Sequence, residues 1–417
     1  MRIVRPELCI TESEYKSRQD TLKVKLRSLG LDSMLLLNNR YVTYLTGLDC
    51  SPTERPIGLL LPVDGEPAIV TAKLEEAHIR HRLPWVSNVH LYLDYPGDPH
   101  CFQTVVRLLE EHGLRSGRIG CDELRTNFVS ANLSHYLEKA LPEASFVRSE
   151  SILVEMMEIK SEAEKRLVRE AARWGANTHR ILQQLIEPGR APYDVGAEAT
   201  LEGSLVMLRF FGEDYEPYRT VGSPTVGGPC GPTYADFEAG PGTAFPHGSQ
   251  NVESSRYHRK IREGDNIVTA AEANVGGYYC ELERTMFVGK PSEKQAKYFQ
   301  IMLEAQTAAL EQFRPGRKTR DVDLAARAVF QKHGVMDYVL HHSGHGTGYR
   351  VHEPPFCDIG DHTILRPGMQ FSCEPGIYVP NVGRFRHSDD VFVTQDEPEI
   401  NSYYPRDLES LIIDIKR

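Results

Sequence analysis

Pro188-Gly-Arg-Ala-Pro-Tyr-Asp-Val-Gly-Ala-Glu-Ala199 can be laid over Pro315-Gly-Arg-Lys-Thr-Arg-Asp-Val-Asp-Leu-Ala-Ala326. The offset is 127 throughout, and six of the twelve positions are identical. Chance alone gives a few matches. A helix stop, a turn and a helix restart in the same order argue for duplication. Each copy follows a long helical pattern. Ser161 with Glu164, and Ser292 with Gln295, have capping-box spacing, in which the serine caps an amide and the longer side chain reaches back. Helices are therefore expected from Ser161 to the Glu187-Pro-Gly stop, and from Ser292 to the Arg314-Pro-Gly stop.

The strands after each copy repeat as well, at a different offset. Gly264-Asp-Asn-Ile-Val-Thr-Ala270 parallels Gly368-Met-Gln-Phe-Ser-Cys-Glu374, a turn glycine followed by an apolar run. A duplicated helix–helix–strand unit predicts two halves facing each other across a pocket lined by equivalent strand ends.

Outward from the repeat, residues 1–158 read as an α/β domain and 159–417 as an α+β catalytic domain with an internal pseudo-twofold. In the first, Glu12 to Leu29 has helical spacing. Ser33-Met-Leu-Leu-Leu37, Ile57-Gly-Leu-Leu-Leu61 and Ala68-Ile-Val70 are short apolar runs expected to be buried strands. The chain of 417 residues is too long for one ordinary core, and its 40% hydrophobic and 25% charged residues are a globular balance. A net charge of -10 disfavours nucleic acid or an acidic membrane as partner. No apolar run has the length of a signal peptide core or a membrane helix. Eight scattered cysteines without a CxxC pair read as reduced thiols, so a cytoplasmic location is expected.

Four stretches of the second domain concentrate acid–base and metal-binding groups. They are Thr243-Ala-Phe-Pro-His247-Gly, Gly277-Tyr-Tyr-Cys-Glu281-Leu-Glu283-Arg284-Thr285, His341-His342-Ser-Gly-His345-Gly-Thr-Gly-Tyr-Arg-Val-His352-Glu353-Pro-Pro, and Ser372-Cys-Glu374-Pro-Gly. Strand alternation puts Glu281 and Glu283 on one face. Unpaired buried carboxylates are costly, so a metal, an arginine or a cationic substrate must offset them.

Gly-His-Gly-x-Gly, His-Glu-x-Pro and Glu-Pro-Gly, in this order, resemble the pita-bread family of creatinase, prolidases and aminopeptidase P over roughly residues 150–400. Glu54-Arg-Pro-Ile-Gly-Leu-Leu-Leu-Pro62 is similar to the family's N-terminal domain. The resemblance implies a homodimer, and a two-metal site made by two aspartates, one histidine and two glutamates. Carried over, these fall on Ala270, Glu281, His345, Glu374 and Ser388. Two of the five cannot serve as carboxylate ligands and one is lengthened, so a tight dinuclear site is not expected.

Gly277-Tyr-Tyr-x-x-Leu-Glu-Arg-Thr285 is similar to creatinase, the family's metal-free hydrolase. That likeness implies a metal-independent cleavage of a C–N bond in a small, cationic, creatine- or ectoine-like substrate, with no cofactor. His247 would then be the general base and acid. Glu281, Glu283 and Glu374 would orient the cation, and His345 and His352 would stabilise the oxyanion. Arg55 would reach toward the partner's pocket. His341, His342 and His387 read as structural, and Arg284 as a possible structural partner of a carboxylate. One alternative is an Xaa-Pro peptidase whose divalent metal, such as Mn, Zn or Co, is held by Glu281, His345 and Glu374. Glu272, Asp389 and Asp390 are its possible rescuing ligands. A catalytically inactive binding homologue is the other.

Overall fold

The structure, a computed structural model, describes residues 8–49, 53–124, 133–212, 215, 232–244 and 259–415. The described residues form two compact units, one spanning Ile10–Met157 and the other carrying Leu8, Cys9 and the chain from Glu158 on.

The first unit opens with the helix Glu12–Ser28, capped by Thr11 and carrying acidic residues in its first turn and basic ones in its last, as the helix dipole favours. It buries Tyr15, Gln19, Leu22 and Leu26, one helical stripe. The sheet contains β1 (Ser33–Leu36), β2 (Gly58–Pro62), β3 (Ala68–Ala72), β4 (Asn88–Tyr92), β5 (Arg118–Cys121) and β6 (Ser145–Arg148). The strand order is β4-β3-β2-β1-β5-β6. β1, β2 and β3 pair antiparallel and the outer strands parallel, which makes the sheet mixed. The three apolar runs of the sequence are β1, β2 and β3, buried along their length.

The second unit displays the duplication. Helices Glu162–Leu185 and Pro192–Phe211 form the first pair, and Glu293–Leu310 and Thr319–Lys332 the second. Both first helices carry complete capping boxes, at Ser161 with Glu164 and at Ser292 with Gln295. The strands that follow are β7 (Thr233–Ala239), β8 (Asn266–Val275) and β9 (Tyr278–Val288) in the first half. The second half has β10 (His345–Gly346), β11 (Glu353–Phe356), β12 (Gln370–Cys373), β13 (Gly376–Val379), β14 (Gly383–Arg386), β15 (Asp389–Phe392) and β16 (Glu399–Ile400), before the last strand β17 (Ile412–Ile413).

Two larger sheets result, in the orders β17-β9-β8-β7 and β11-β10-β12-β15-β16, with β13–β14 as a separate ribbon. Gly276 and Gly277, both at positive φ, make the two-residue turn between β8 and β9, where the backbone needs left-handed conformations. An isolated antiparallel bridge, Glu283 to Ser388, stitches the sheets together.

Below this seam lies Arg284, fully buried. Its guanidinium donates to Asp389 Oδ1 at 2.6 Å and to the carbonyls of Glu283, Ser388, Tyr404 and Pro405 at 2.7–3.1 Å. All its donor directions are used within the fold, so Arg284 is a structural pin.

Candidate metal centre

β9 carries Glu281 and Glu283 on one face, and the register sets Glu272 opposite Glu281 and Ala270 opposite Glu283. Across the seam, Ser388 Oγ donates to Glu281 Oε1 at 3.1 Å. The residue at the absent ligand position thus supports a carboxylate instead of binding an ion. Glu281 N donates to Asp390 Oδ2 at 3.0 Å.

His345 enters on β10. The residue before it, Gly344, lies at φ +153, and a Cβ there would stand 2.1 Å from the Ser372 carbonyl oxygen. Only glycine allows β10 to come so near β12. His345 Nδ1 lies 3.1 Å from Gly346 O, which fixes the proton on Nδ1 in the neutral ring and leaves the Nε2 lone pair free. That Nε2 is 3.5 Å from Glu281 Oε2 and 3.3 Å from Glu374 Oε1. Glu374 follows β12, its amide held by Ser343 O at 2.9 Å.

The four side chains are at most 7% exposed for the glutamates and 0% for His345. Glu281 Oε2, Glu283 Oε2 and His345 Nε2 have no hydrogen-bond partner. Buried polar atoms are almost always paired, so Glu281 Oε2 and His345 Nε2, both unpartnered and 3.5 Å apart, suit a cation between them. Two groups have ligand atoms within 4.8 Å of one another: Glu281, His345 and His352, and Glu281, Glu283 and Glu374. His352 is exposed, and its ring stacks on His345 at 3.9 Å between centroids.

The electrostatics agree with the geometry. Burial alone would lower His345, but Glu281 and Glu374 hold its proton on and raise it to about 9. Burial and the Glu374 charge push Glu281 well above the usual carboxylate range. Glu374 goes the other way: burial would raise it, but Arg386 and His345 bring it far down. An ion accepted by His345 Nε2 has to displace a proton.

Arg386, on β14, is the residue the sequence reading missed as part of the site. Its Nη2 donates to Glu283 Oε1, and its Nη1 lies 3.3 Å from Glu374 Oε2. The sequence held a partial signal, since the carboxylate cluster demanded a cation and an arginine was one option. His341 is also closer to the centre than expected. Its ring is largely buried with Nε2 unpartnered, and burial, with Arg386 nearby, lowers it to about 4.

The proposed rescuing ligands fall elsewhere. Asp389 is spent on Arg284, on Gln306 Nε2 at 2.9 Å and on Arg406. Asp390 supports Glu281 from behind, and burial raises it to about 7. Among the described residues, Glu272 is in neither ligand group. Arg55 belongs to the first unit, where Asp94 Oδ1 at 2.7 Å and Glu54 hold it. His247 lies outside the described residues.

Residues 166–395 match Metallopeptidase family M24, and residues 18–159 match the Creatinase/Prolidase N-terminal domain. The chain belongs to the M24 metallopeptidase family and has its two-domain architecture, an α/β domain followed by a pita-bread catalytic domain. It is 30% identical to "Probable dipeptidase PepE" of Mycobacterium tuberculosis over 88% of both chains. It is 28% identical to "Putative dipeptidase YkvY" of Bacillus subtilis, over 92% of this chain and 96% of that one. Among solved structures, dipeptidase PepE from Mycobacterium ulcerans superposes with TM-score 0.78 at 26% identity, covering 97% of this chain and 99% of that one. A prolidase from Thermococcus sibiricus gives 0.78 at 25%, covering 94% and 98%.

These findings overturn the expectation of a metal-independent, creatinase-like hydrolase of a cationic substrate. The relatives matched over nearly their whole length carry peptidase names, dipeptidase and prolidase among them, and Glu281, Glu283, His345, His352 and Glu374 bring ligand atoms together in groups that could hold an ion. The physical reason is equally direct. Glu283 and Glu374, expected to grip a substrate guanidinium, already grip that of Arg386. Among the described residues, no helix is long and apolar enough to cross a membrane.

Proposed function

We propose that the chain is a metal-dependent hydrolase of dipeptides, of the Xaa-Pro dipeptidase type, working with one divalent ion held by Glu281, His345 and Glu374. The observation that carries this reading is the convergence of Glu281 Oε2 at 3.5 Å and Glu374 Oε1 at 3.3 Å on the unpartnered His345 Nε2. The donor set of two carboxylates and an imidazole suits Zn, Mn or Co.

A charge count agrees. Glu281, Glu283 and Glu374 bring three negative charges and Arg386 returns one positive charge. Asp389 is spent on Arg284 and stands outside the count. Among these four side chains two negative charges remain once an ion has displaced the protons of Glu281 and His345, which suits one divalent ion. With Ala270 and Ser388 in the places of two ligands, a second ion does not fit.

When bound, the ion supplies Lewis acidity and lowers the pKa of a bound water. The chain's own residues do the rest. His345 is locked by Gly346 O, so its lone pair points one way. Ser388 and Asp390 hold Glu281 in place from the side chain and the amide. His352, stacked on His345 and exposed, is placed to hydrogen-bond the peptide carbonyl or the leaving nitrogen. A homodimer accompanies this reading, supported by the likeness to the family.

The test is a panel of Xaa-Pro and other dipeptides, with creatine as control, offered to chelator-stripped protein and to protein reloaded with Mn, Zn or Co. Cleavage of a dipeptide only after reloading is expected. Equal cleavage in the stripped protein, or none on any dipeptide after reloading, contradicts the reading.

A further inference from the structure

We propose that the space over Ala270 seats the α-ammonium group of the substrate, between Asp236 on β7 and Glu283 on β9. This deepens the dipeptidase reading and rests on it for the identity of the substrate.

The strand register sets the three residues in one line. Asp236 is the cross-strand partner of Ala270, and Ala270 is the partner of Glu283. Partners across antiparallel strands project from the same face of the sheet, here the face on which Glu281 and Glu283 join Glu374. β7 alternates along its length, with Thr233, Ala235, Phe237 and Ala239 buried and Tyr234, Asp236 and Glu238 half-buried. Ala235, Phe237 and Ala239 belong to the apolar core, so Asp236 projects the other way, toward the carboxylate cluster.

Ala270 is the low point of the line. Its chain neighbours Thr269 and Ala271 are buried, but Ala270 itself is half-buried, so the space over its methyl is accessible. Successive partners lie about 5 Å apart, which sets the flanking α-carbons about 10 Å from each other. An ammonium group over the methyl is then within reach of both side chains.

Asp236 is held in place, with Oδ1 accepting from Phe237 N at 2.8 Å and Oδ2 from the Tyr234 hydroxyl at 3.1 Å. Both donors are neutral, so they orient the carboxylate without cancelling its charge. Glu283 is 7% exposed; it gives Oε1 to Arg386, and its Oε2 has no hydrogen-bond partner. A buried acceptor in that state is costly, and an ammonium group brings three donors. The position suits the reaction. In a dipeptide the α-nitrogen is two bonds from the scissile carbonyl carbon, and the ligand atoms of Glu283 and Glu281 lie within 4.8 Å of each other. The carbonyl can face the ion while the ammonium faces Glu283 and Asp236. The substrate class is therefore a dipeptide with a free amino terminus.

The experiment compares probes that differ only in the ammonium group, on Mn²⁺-loaded protein. L-alanine and propionate are titrated by calorimetry, and Ala-Pro and propionyl-proline are offered as substrates. The wild type should bind alanine about tenfold or more tightly than propionate, and should favour Ala-Pro over propionyl-proline in kcat/KM. Asp236→Asn removes the charge, and Ala270→Leu fills the space. Each should shrink the alanine-to-propionate ratio about tenfold and raise KM for Ala-Pro more than it lowers kcat. Should Asp236→Asn fail to fold, Ala270→Leu and the wild-type ratio still decide. A wild-type ratio near one, or an unchanged ratio in either folded variant, overturns the proposal. Equal kcat/KM on Ala-Pro and propionyl-proline overturns the ammonium site alone. A preference for alanine that is lost in Asp236→Asn, in a protein that cleaves no dipeptide, supports the ammonium site and overturns the dipeptidase reading.

Discussion

Asp389→Asn separates a structural acid from a ligand. Asp389 and Arg284 are both fully buried and 2.6 Å apart, and the other carboxylate oxygen accepts from Gln306 Nε2 at 2.9 Å. Asparagine keeps the volume but leaves the Arg284 charge with carbonyls alone. Breaking one partner of a buried pair costs about 3–5 kcal/mol. At a urea slope of about 3 kcal/mol per molar, the unfolding midpoint of the second unit falls by about 1–1.7 M.

The sign with pH follows from the folded state. Burial would raise Asp389, but Arg284 and Arg406 bring it below its ordinary 3.8. The stability from the pair is therefore present above that ordinary value and lost as pH falls through the lower folded one. The assay is urea unfolding at neutral pH, with metal content measured on the folded variant. Ion stoichiometry should match the wild type. A variant as stable as the wild type that has lost its ion would refute the reasoning, since Asp389 would then be a ligand.

His387 is buried and neutral, taking Thr285 N on Nδ1 and facing Arg406 O with Nε2; burial and Arg284 lower it to about 3. Its contribution is intact above the ordinary value of 6.5 and lost as pH falls toward 3, about 2 kcal/mol by pH 5 at 1.36 per unit. His387→Asn, whose carbonyl can accept from Thr285, should flatten the fall in unfolding free energy between pH 7 and pH 5 by that amount; an unchanged slope counts against it. Gly344→Ala places a methyl 2.1 Å from Ser372 O at a positive φ. It should cost more than about 2 kcal/mol and weaken metal binding, and a variant with wild-type melting and metal affinity would show that the close approach of β10 to β12 is dispensable. Glu281→Gln should lower Mn²⁺ affinity by at least tenfold in calorimetry while leaving the urea midpoint nearly unmoved; unchanged affinity removes Glu281 from the ligand set.

Local signals carried most of the fold. Ser161 with Glu164 and Ser292 with Gln295 are capping boxes in the structure because a cap depends on neighbours three residues apart. The repeat is visible too: Pro192 and Thr319 open equivalent helices at the sequence offset, and Asn266 and Gln370 open equivalent strands. It also made Ala270 stand out opposite Glu374. Arg386 was harder to read, because its partner Glu283 lies 103 residues away on another strand. The error over function has the same root. A short likeness around Gly277–Thr285 suggested glutamates holding a substrate guanidinium, and sequence spacing could not show that Glu283 and Glu374 meet the chain's own Arg386 instead. Asp389 and Asp390 are adjacent in sequence yet serve opposite neighbours, Arg284 and the Glu281 amide, because successive strand residues face opposite ways.

Rate of Xaa-Pro dipeptide cleavage, measured as Mn²⁺ is added in known equivalents to stripped protein, tests the central claim most directly. A single ion at Glu281, His345 and Glu374 predicts a rise that breaks at one equivalent per chain. A break at two equivalents, or full activity before any ion is added, would contradict it.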